Sequence, residues 1–196
     1  MPRAYTPVNS ETESARLGAL SAYGVLDTAR ELEFDELVRR AAKECGYETA
    51  LLTFMEADRC WFKASTGLLP GDQGLTQLPR NQTFCNYALS SSGLFVVPDA
   101  TEDTRFRDLH VVRRAEGYRA YLGAQLITPD GYSIGSLCVL DRNPRQPTTE
   151  QMASLRRRAI DAMALLELRR SRDDAPAPSV IVPVEERSAR RAVLVV

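Results

Sequence analysis

Arg119–Thr128 (RAYLGAQLIT) and Tyr132–Leu140 (YSIGSLCVL) flank Pro129-Asp130-Gly131, and the reading of this stretch decides the fold class. The Pro, Asp and Gly mark a tight reversal, and Gly131 can take the positive φ that such a turn needs. Two antiparallel strands are therefore expected on either side of residue 130. On the C-terminal side, Thr148-Thr149-Glu150-Gln151 follows Pro147 as a capping box, in which each side chain satisfies the other's free backbone N–H. It opens a long helix with Met152, Leu155, Ala159, Ala162 and Leu166 in a row, and Arg169-Arg170 suits the negative end of its dipole. That row covers about two heptads, short of the three or four that argue a coiled coil by pattern alone.

On the N-terminal side, Thr49–Glu56 and Cys60–Thr66 read as neighbouring strands. Leu68–Pro79 reads as a loop, and Asn81 is expected to cap a short helix through Phe84, Cys85 and Leu89. Leu94–Val97 makes a brief strand stopped by Pro98, and Asp99–Leu109 a loop with a helical turn. Further upstream, Ser10–Glu13 and Thr28–Glu31 have the capping-box pattern. Leu17, Leu20 and Tyr23 follow the first, ended by Gly24. Phe34, Leu37, Val38, Ala41 and Cys45 follow the second, closed by Gly46. The order of elements is α+β, an antiparallel sheet covered on one face by the terminal helices.

The chain has 196 residues, which suits one domain with end segments. Lys+Arg number 25 and Asp+Glu 26, so no global basic field exists to attract nucleic acid or an anionic membrane. No apolar run approaches the roughly 18 residues that span a bilayer. Met1–Tyr5 lacks the apolar stretch of a secretory signal, so the cytoplasm is the expected compartment. Cys45, Cys60, Cys85 and Cys138 are widely separated, with no C-x-x-C pair and no nearby His to complete a zinc site. They read first as structural thiols.

The ordered set of short motifs resembles bacterial GAF domains. It runs from Arg16-Leu17, Leu20 and Tyr23–Thr28 through Phe34–Leu37 and Trp61–Ala64. Thr83-Phe84-Cys85, Val96–Ala100, Asp103, Arg105-Phe106, Tyr121, Gly123-Ala124 and Gly135–Arg142 follow. The resemblance spans Ser14 to Arg170. It divides the chain into an N-terminal segment 1–13, a GAF domain 14–170, and a tail 171–196. It implies a central antiparallel sheet of about six strands, with the N- and C-terminal helices on one face and a ligand pocket on the other. It also implies a non-catalytic sensory module, upstream of a kinase, cyclase or receiver and paired through its terminal helices. A ligand-free dimerisation or scaffold module is the alternative, and a cysteine-dependent reductase a third reading. No Cys precedes a His, which argues against covalent bilin. The Asn-Lys signature of the cyclic-nucleotide branch is missing, and the cysteine contexts differ from those of free-methionine-sulfoxide reductases.

The expected ligand-contacting residues are Trp61, Phe84, Cys85, Asp99, Asp103, Arg105, Phe106, His110, Tyr121 and Cys138, around an unidentified small molecule. No haem, bilin or metal is expected, His110 being the one histidine. Cys85, in the first turn of its helix, reads either as a thiol lowered by the helix dipole or as a small apolar filler. Asp99, Asp103 and Arg105 read either as polar ligand contacts or as local loop caps. By alternation, Trp61 and Phe62 face opposite sides of their strand, so only one of them can meet a ligand. A homodimer is expected through Leu17, Leu20, Met152, Leu155, Ala159 and Leu166. The Asp/Ala/Pro-rich stretch from Ser171 to Ala177 reads as a linker. Val193–Val196 resembles the first strand of a receiver domain, the alternative being an apolar tail that adds an edge strand to its own sheet or a neighbour's.

Overall fold

A computed structural model of the chain describes residues 10–91 and 93–173. The apolar tail and its receiver-like end lie outside these residues. The elements in chain order are α1 (Ser10–Ser21), α2 (Leu32–Cys45), β1 (Thr49–Met55), β2 (Arg59–Thr66), β3 (Gln77–Pro79) and α3 (Cys85–Ala88). They continue with β4 (Phe95–Val97), α4 (His110–Arg113), β5 (Ala120–Ile127), β6 (Ser133–Asp141) and α5 (Thr149–Asp173). The strands form one antiparallel sheet in the order β3-β2-β1-β6-β5-β4. The hairpin that decides the class is β5–β6, with Gly131 at φ 86° in its turn. The architecture is the six-stranded α+β arrangement read from the sequence.

Period two splits the sheet into two apolar faces. Ala50, Leu52 and Phe54 of β1, Leu122 and Ala124 of β5, and Leu137 and Val139 of β6 face α1, α2 and α5. Leu51, Met55, Cys60, Tyr121, Cys138 and Leu140 face the other way, beneath α3, α4 and the long connections. Both faces are buried, so β1 is buried at every position although it lies in an antiparallel sheet.

Two of the expected caps are replaced by other devices. The helix after Thr28 begins only at Leu32, with no side-chain cap. Thr28 Oγ1 instead donates to the Val25 carbonyl, and Glu31 carries the ammonium of Lys63. Lys63 is the extra residue of a β-bulge, since Leu52 pairs with Ala64 while Thr53 pairs with Phe62. The bulge turns the Lys63 side chain under the helices, where it is 0% exposed. There it donates to Thr28, the Ala29 carbonyl and Glu31, over the Phe34 and Trp61 rings. Likewise Asn81 caps nothing, because Arg80–Gln82 is a separate 3₁₀ turn and α3 starts after Phe84 without a side-chain cap. Thr148 and Gln151 do form the reciprocal box, at 3.2 and 2.9 Å.

The residues expected at a dimer surface are mostly internal. Leu20, Leu155, Ala159 and Leu166 are buried within their own chain, between the helices and the sheet, while Leu17 and Met152 are half-buried. The heptad-like row is thus the seam of α5 with its own sheet and α2. The outer face of α5 presents Ile160 and Leu168, which are 65% and 55% exposed.

Candidate functional site

A cavity of ≈ 50 Å³ lies on the sheet face opposite α1, α2 and α5. Its floor is made by Leu51 and Thr53 of β1, Cys60 and Phe62 of β2, Tyr121 of β5, and Cys138 and Leu140 of β6. Leu68, Asp72, Leu75, Leu78, Thr83, Phe84 and Cys85 form a roof. The roof loop is tied down by a bidentate ion pair between Asp72, nearly buried on the loop, and Arg114, just beyond α4. Such paired, charge-assisted bonds hold geometry as well as energy. Gln82 and Leu75, both exposed, mark the mouth.

At the centre of the cavity wall is Cys85. Its sulfur lies 3.9 Å from that of Cys138, and the Tyr121 hydroxyl donates to it at 3.6 Å. Hydrogen bonds from Cys138 and Cys60, then from Ser136 and Tyr121, pull the Cys85 thiol well below its ordinary range against the opposing effect of burial. Cys138 and Cys60 are pushed up, first by their bonds to Cys85 and then by burial. The cause is this ring of donors and not a helix dipole, because α3 has only four residues. Cys45, by contrast, lies across the sheet against Gln151, and burial pushes it up to about 11.

Tyr121 reaches Cys85 because its neighbour on the same face is Gly123. A Cβ at Gly123 would stand 2.3 Å from the Tyr121 hydroxyl. Phe84 stacks on the Tyr121 ring at 5.0 Å and touches Phe106 at 4.8 Å, so the aromatic residues form a wall beside the thiols.

Of the expected contact residues, Phe84, Cys85, Tyr121 and Cys138 meet around this cavity, with Phe106 packed behind them. Trp61 does not. It lies on the helix face, stacked with Phe54 at 6.3 Å, because it is Phe62 that alternation directs to the cavity side. Asp99 accepts both bonds from Thr101, a local turn. Asp103 holds Arg105, whose guanidinium caps Phe106, Phe95 and Tyr87 from outside at 4.9, 5.1 and 5.8 Å. His110 is exposed at the start of α4, in a surface hollow with Gln82, Asp108, Arg113 and Arg114, and does not line the cavity. Cys60, Thr53 and Phe62 belong to the site but were not among the expected contacts. Their signal was the shared face of β1 and β2, which becomes readable once the pairing of Met55 with Cys60 is known.

The class of fold is now defined. The chain aligns over 82–88% of its length with solved structures that share its architecture at TM-scores near 0.6. One is the GAF domain of a phosphoenolpyruvate-protein phosphotransferase from Coxiella burnetii (TM-score 0.61, 16% identity, 85% of this chain and 99% of that one). Another is a free methionine-R-sulfoxide reductase from Neisseria meningitidis (TM-score 0.58, 16% identity, 88% and 99%). The chain has the GAF fold. In sequence it is similar to a cyclic di-GMP phosphodiesterase of Pseudomonas aeruginosa, at 38% identity over 167 residues. That match takes in 85% of this chain and 28% of the phosphodiesterase, so the chain spans less than a third of that relative's length. No family model matches the chain.

Proposed function

We propose that this chain is a sensory and regulatory domain of a bacterial signalling protein, with its input at the cavity and its output through α5. The observation that carries this reading is the two-sided sheet. Tyr121 and Cys138 line the cavity, while their strand neighbours Leu122, Ala124, Leu137 and Val139 pack toward the helix layer that holds Leu155, Ala159 and Ala162. A strand that shifts under the cavity must shift beneath the helix layer too, because packed interiors are not softly deformable.

The similarity to the phosphodiesterase supports an output in signalling, since it is confined to 28% of a protein named for turnover of a signalling nucleotide. On this reading the domain regulates such an enzyme, whether attached or bound, and works as a homodimer. A ligand larger than a few waters needs the roof to lift, because ≈ 50 Å³ is far below the roughly 300 Å³ at which ligand pockets begin. The Asp72–Arg114 pair is the latch.

A thermal-shift screen with nucleotides, amino acids and small apolar molecules tests the reading. A binder of the folded state raises Tm by mass action, and Leu51→Phe, which fills the cavity, is expected to abolish that rise. A shift that survives Leu51→Phe places binding elsewhere and overturns the assignment of the input site.

A further inference from the structure

We propose that the cavity is an oxidant-sensing site in which a peroxide converts Cys85 and Cys138 to a disulfide. The inference rests on the reading of the cavity as the input side, and it names the input. Three observations carry it. Three of the four cysteines converge on one small cavity from three different elements, α3, β2 and β6. The Cys85 and Cys138 sulfurs are already in contact at 3.9 Å, and a disulfide needs roughly 2.05 Å. The cavity, at ≈ 50 Å³, has the size of a small inorganic or short alkyl peroxide and not of a metabolite.

The chemistry balances in two steps. Cys85 sulfur attacks one peroxide oxygen, so an S–O bond forms and the O–O bond breaks. The departing oxygen takes the thiol proton and leaves as water or an alcohol. Cys138 sulfur then attacks the sulfenic sulfur of Cys85, so the S–S bond forms and the S–O bond breaks. The hydroxide leaves with the Cys138 proton as water. Two thiols lose two electrons and two protons, and the peroxide takes them up. Cys85 is the attacking sulfur because the Tyr121 hydroxyl donates to it and the Cys138 sulfur lies against it, contacts that favour its thiolate, the nucleophilic form.

Closure of the S–S bond draws α3 toward β6. The helix has four residues while β6 is a nine-residue strand paired on both sides, so α3 is the element expected to shift. Cys85 and Tyr121 are bonded to one another, and the Tyr121 ring stacks on Phe84. The disulfide therefore pulls on the aromatic wall and on β5.

The test treats the whole reduced chain with hydrogen peroxide, quenches with an alkylating reagent, and maps the peptides by mass spectrometry. The expected product has lost two hydrogens as a Cys85–Cys138 link, while Cys45 and Cys60 remain alkylated. Cys85 is expected to react roughly tenfold or more faster than Cys45, whose thiol is held protonated. In Cys138→Ser, a sulfenic-acid trap should label Cys85 alone. Mapping of the unsubstituted chain needs no variant, so misfolding of Cys138→Ser does not blunt the test. A Cys85–Cys60 link, equal oxidation of Cys45, or a link seen only after unfolding overturns the proposal. Hydrogen exchange in α5 on the same oxidised sample separates the two ideas. A Cys85–Cys138 link without any change in α5 leaves the redox site standing and removes the relay.

Discussion

At the scale of single residues, two positions show how this sequence spends its polar groups. Lys63 is a fully buried ammonium satisfied by one carboxylate, one hydroxyl and one carbonyl. Lys63→Met removes the cation and leaves Glu31 to Arg169 alone. Because Glu31 is about a third exposed, the expected loss is about 1–3 kcal/mol, measured by urea unfolding. Glu13 is the second. The Arg16 guanidinium, then that of Arg80, holds its carboxyl down from 4.5 to about 2. Its folded pKa is depressed, so this stabilisation is present above about 4.5 and is lost as pH falls toward about 2. Allowing for screening, Glu13→Gln should cost about 1–2 kcal/mol at pH 7, a gap that closes between about pH 4.5 and 2. A gap that does not change with pH would show that Glu13 acts by packing. The Glu13–Arg16 pair is at i,i+3 spacing and open to a sequence reading, whereas Lys63 reaches its place through a bulge and Arg80 meets Glu13 from distant sequence.

At the scale of elements, the local signals that survived were those whose partners are local. The turn at Gly131 and the Thr148–Gln151 box are closed by residues within four positions, and both formed. Thr148→Ala should therefore destabilise by about 1 kcal/mol through the N-terminus of α5. The Thr28–Glu31 pattern failed because Lys63 from β2 outbids the helix end for both side chains. The thiol cluster was hidden for a related reason. Its floor depends on β1 pairing with both β2 and β6, and the second partner is more than 80 residues away. The roof makes a sharper expectation. Arg114→Ala releases Asp72, and alkylation of Cys85 by a small reagent should quicken by about tenfold, the factor that about 1.4 kcal/mol of lost closure gives. An unchanged rate would mean that the reagent enters by another path.

At the scale of the whole molecule, the sheet's division into a helix side and a cavity side organises everything else. The class of fold and the cluster of Phe84, Cys85, Tyr121 and Cys138 were legible in the order of short motifs. The burial of Leu20, Leu155, Ala159 and Leu166 within their own chain was not, since an apolar stripe at helical spacing does not say whether it faces its own sheet or a partner. With Leu155 and Leu166 internal, Leu155→Asp is expected to unfold the domain. Ile160→Asp and Leu168→Asp should weaken self-association, read by light scattering, without loss of helicity. No helix among the described residues is long and apolar enough to cross a membrane.

Hydrogen exchange across the whole chain, with and without a molecule found to bind in the thermal-shift screen, tests the central claim most directly. An occupied cavity is expected to slow exchange in the roof, residues 68–89, and to change it in α5 from Met152 to Leu168, on the far side of the sheet. A change confined to the roof would contradict a domain that senses on one face and signals from the other.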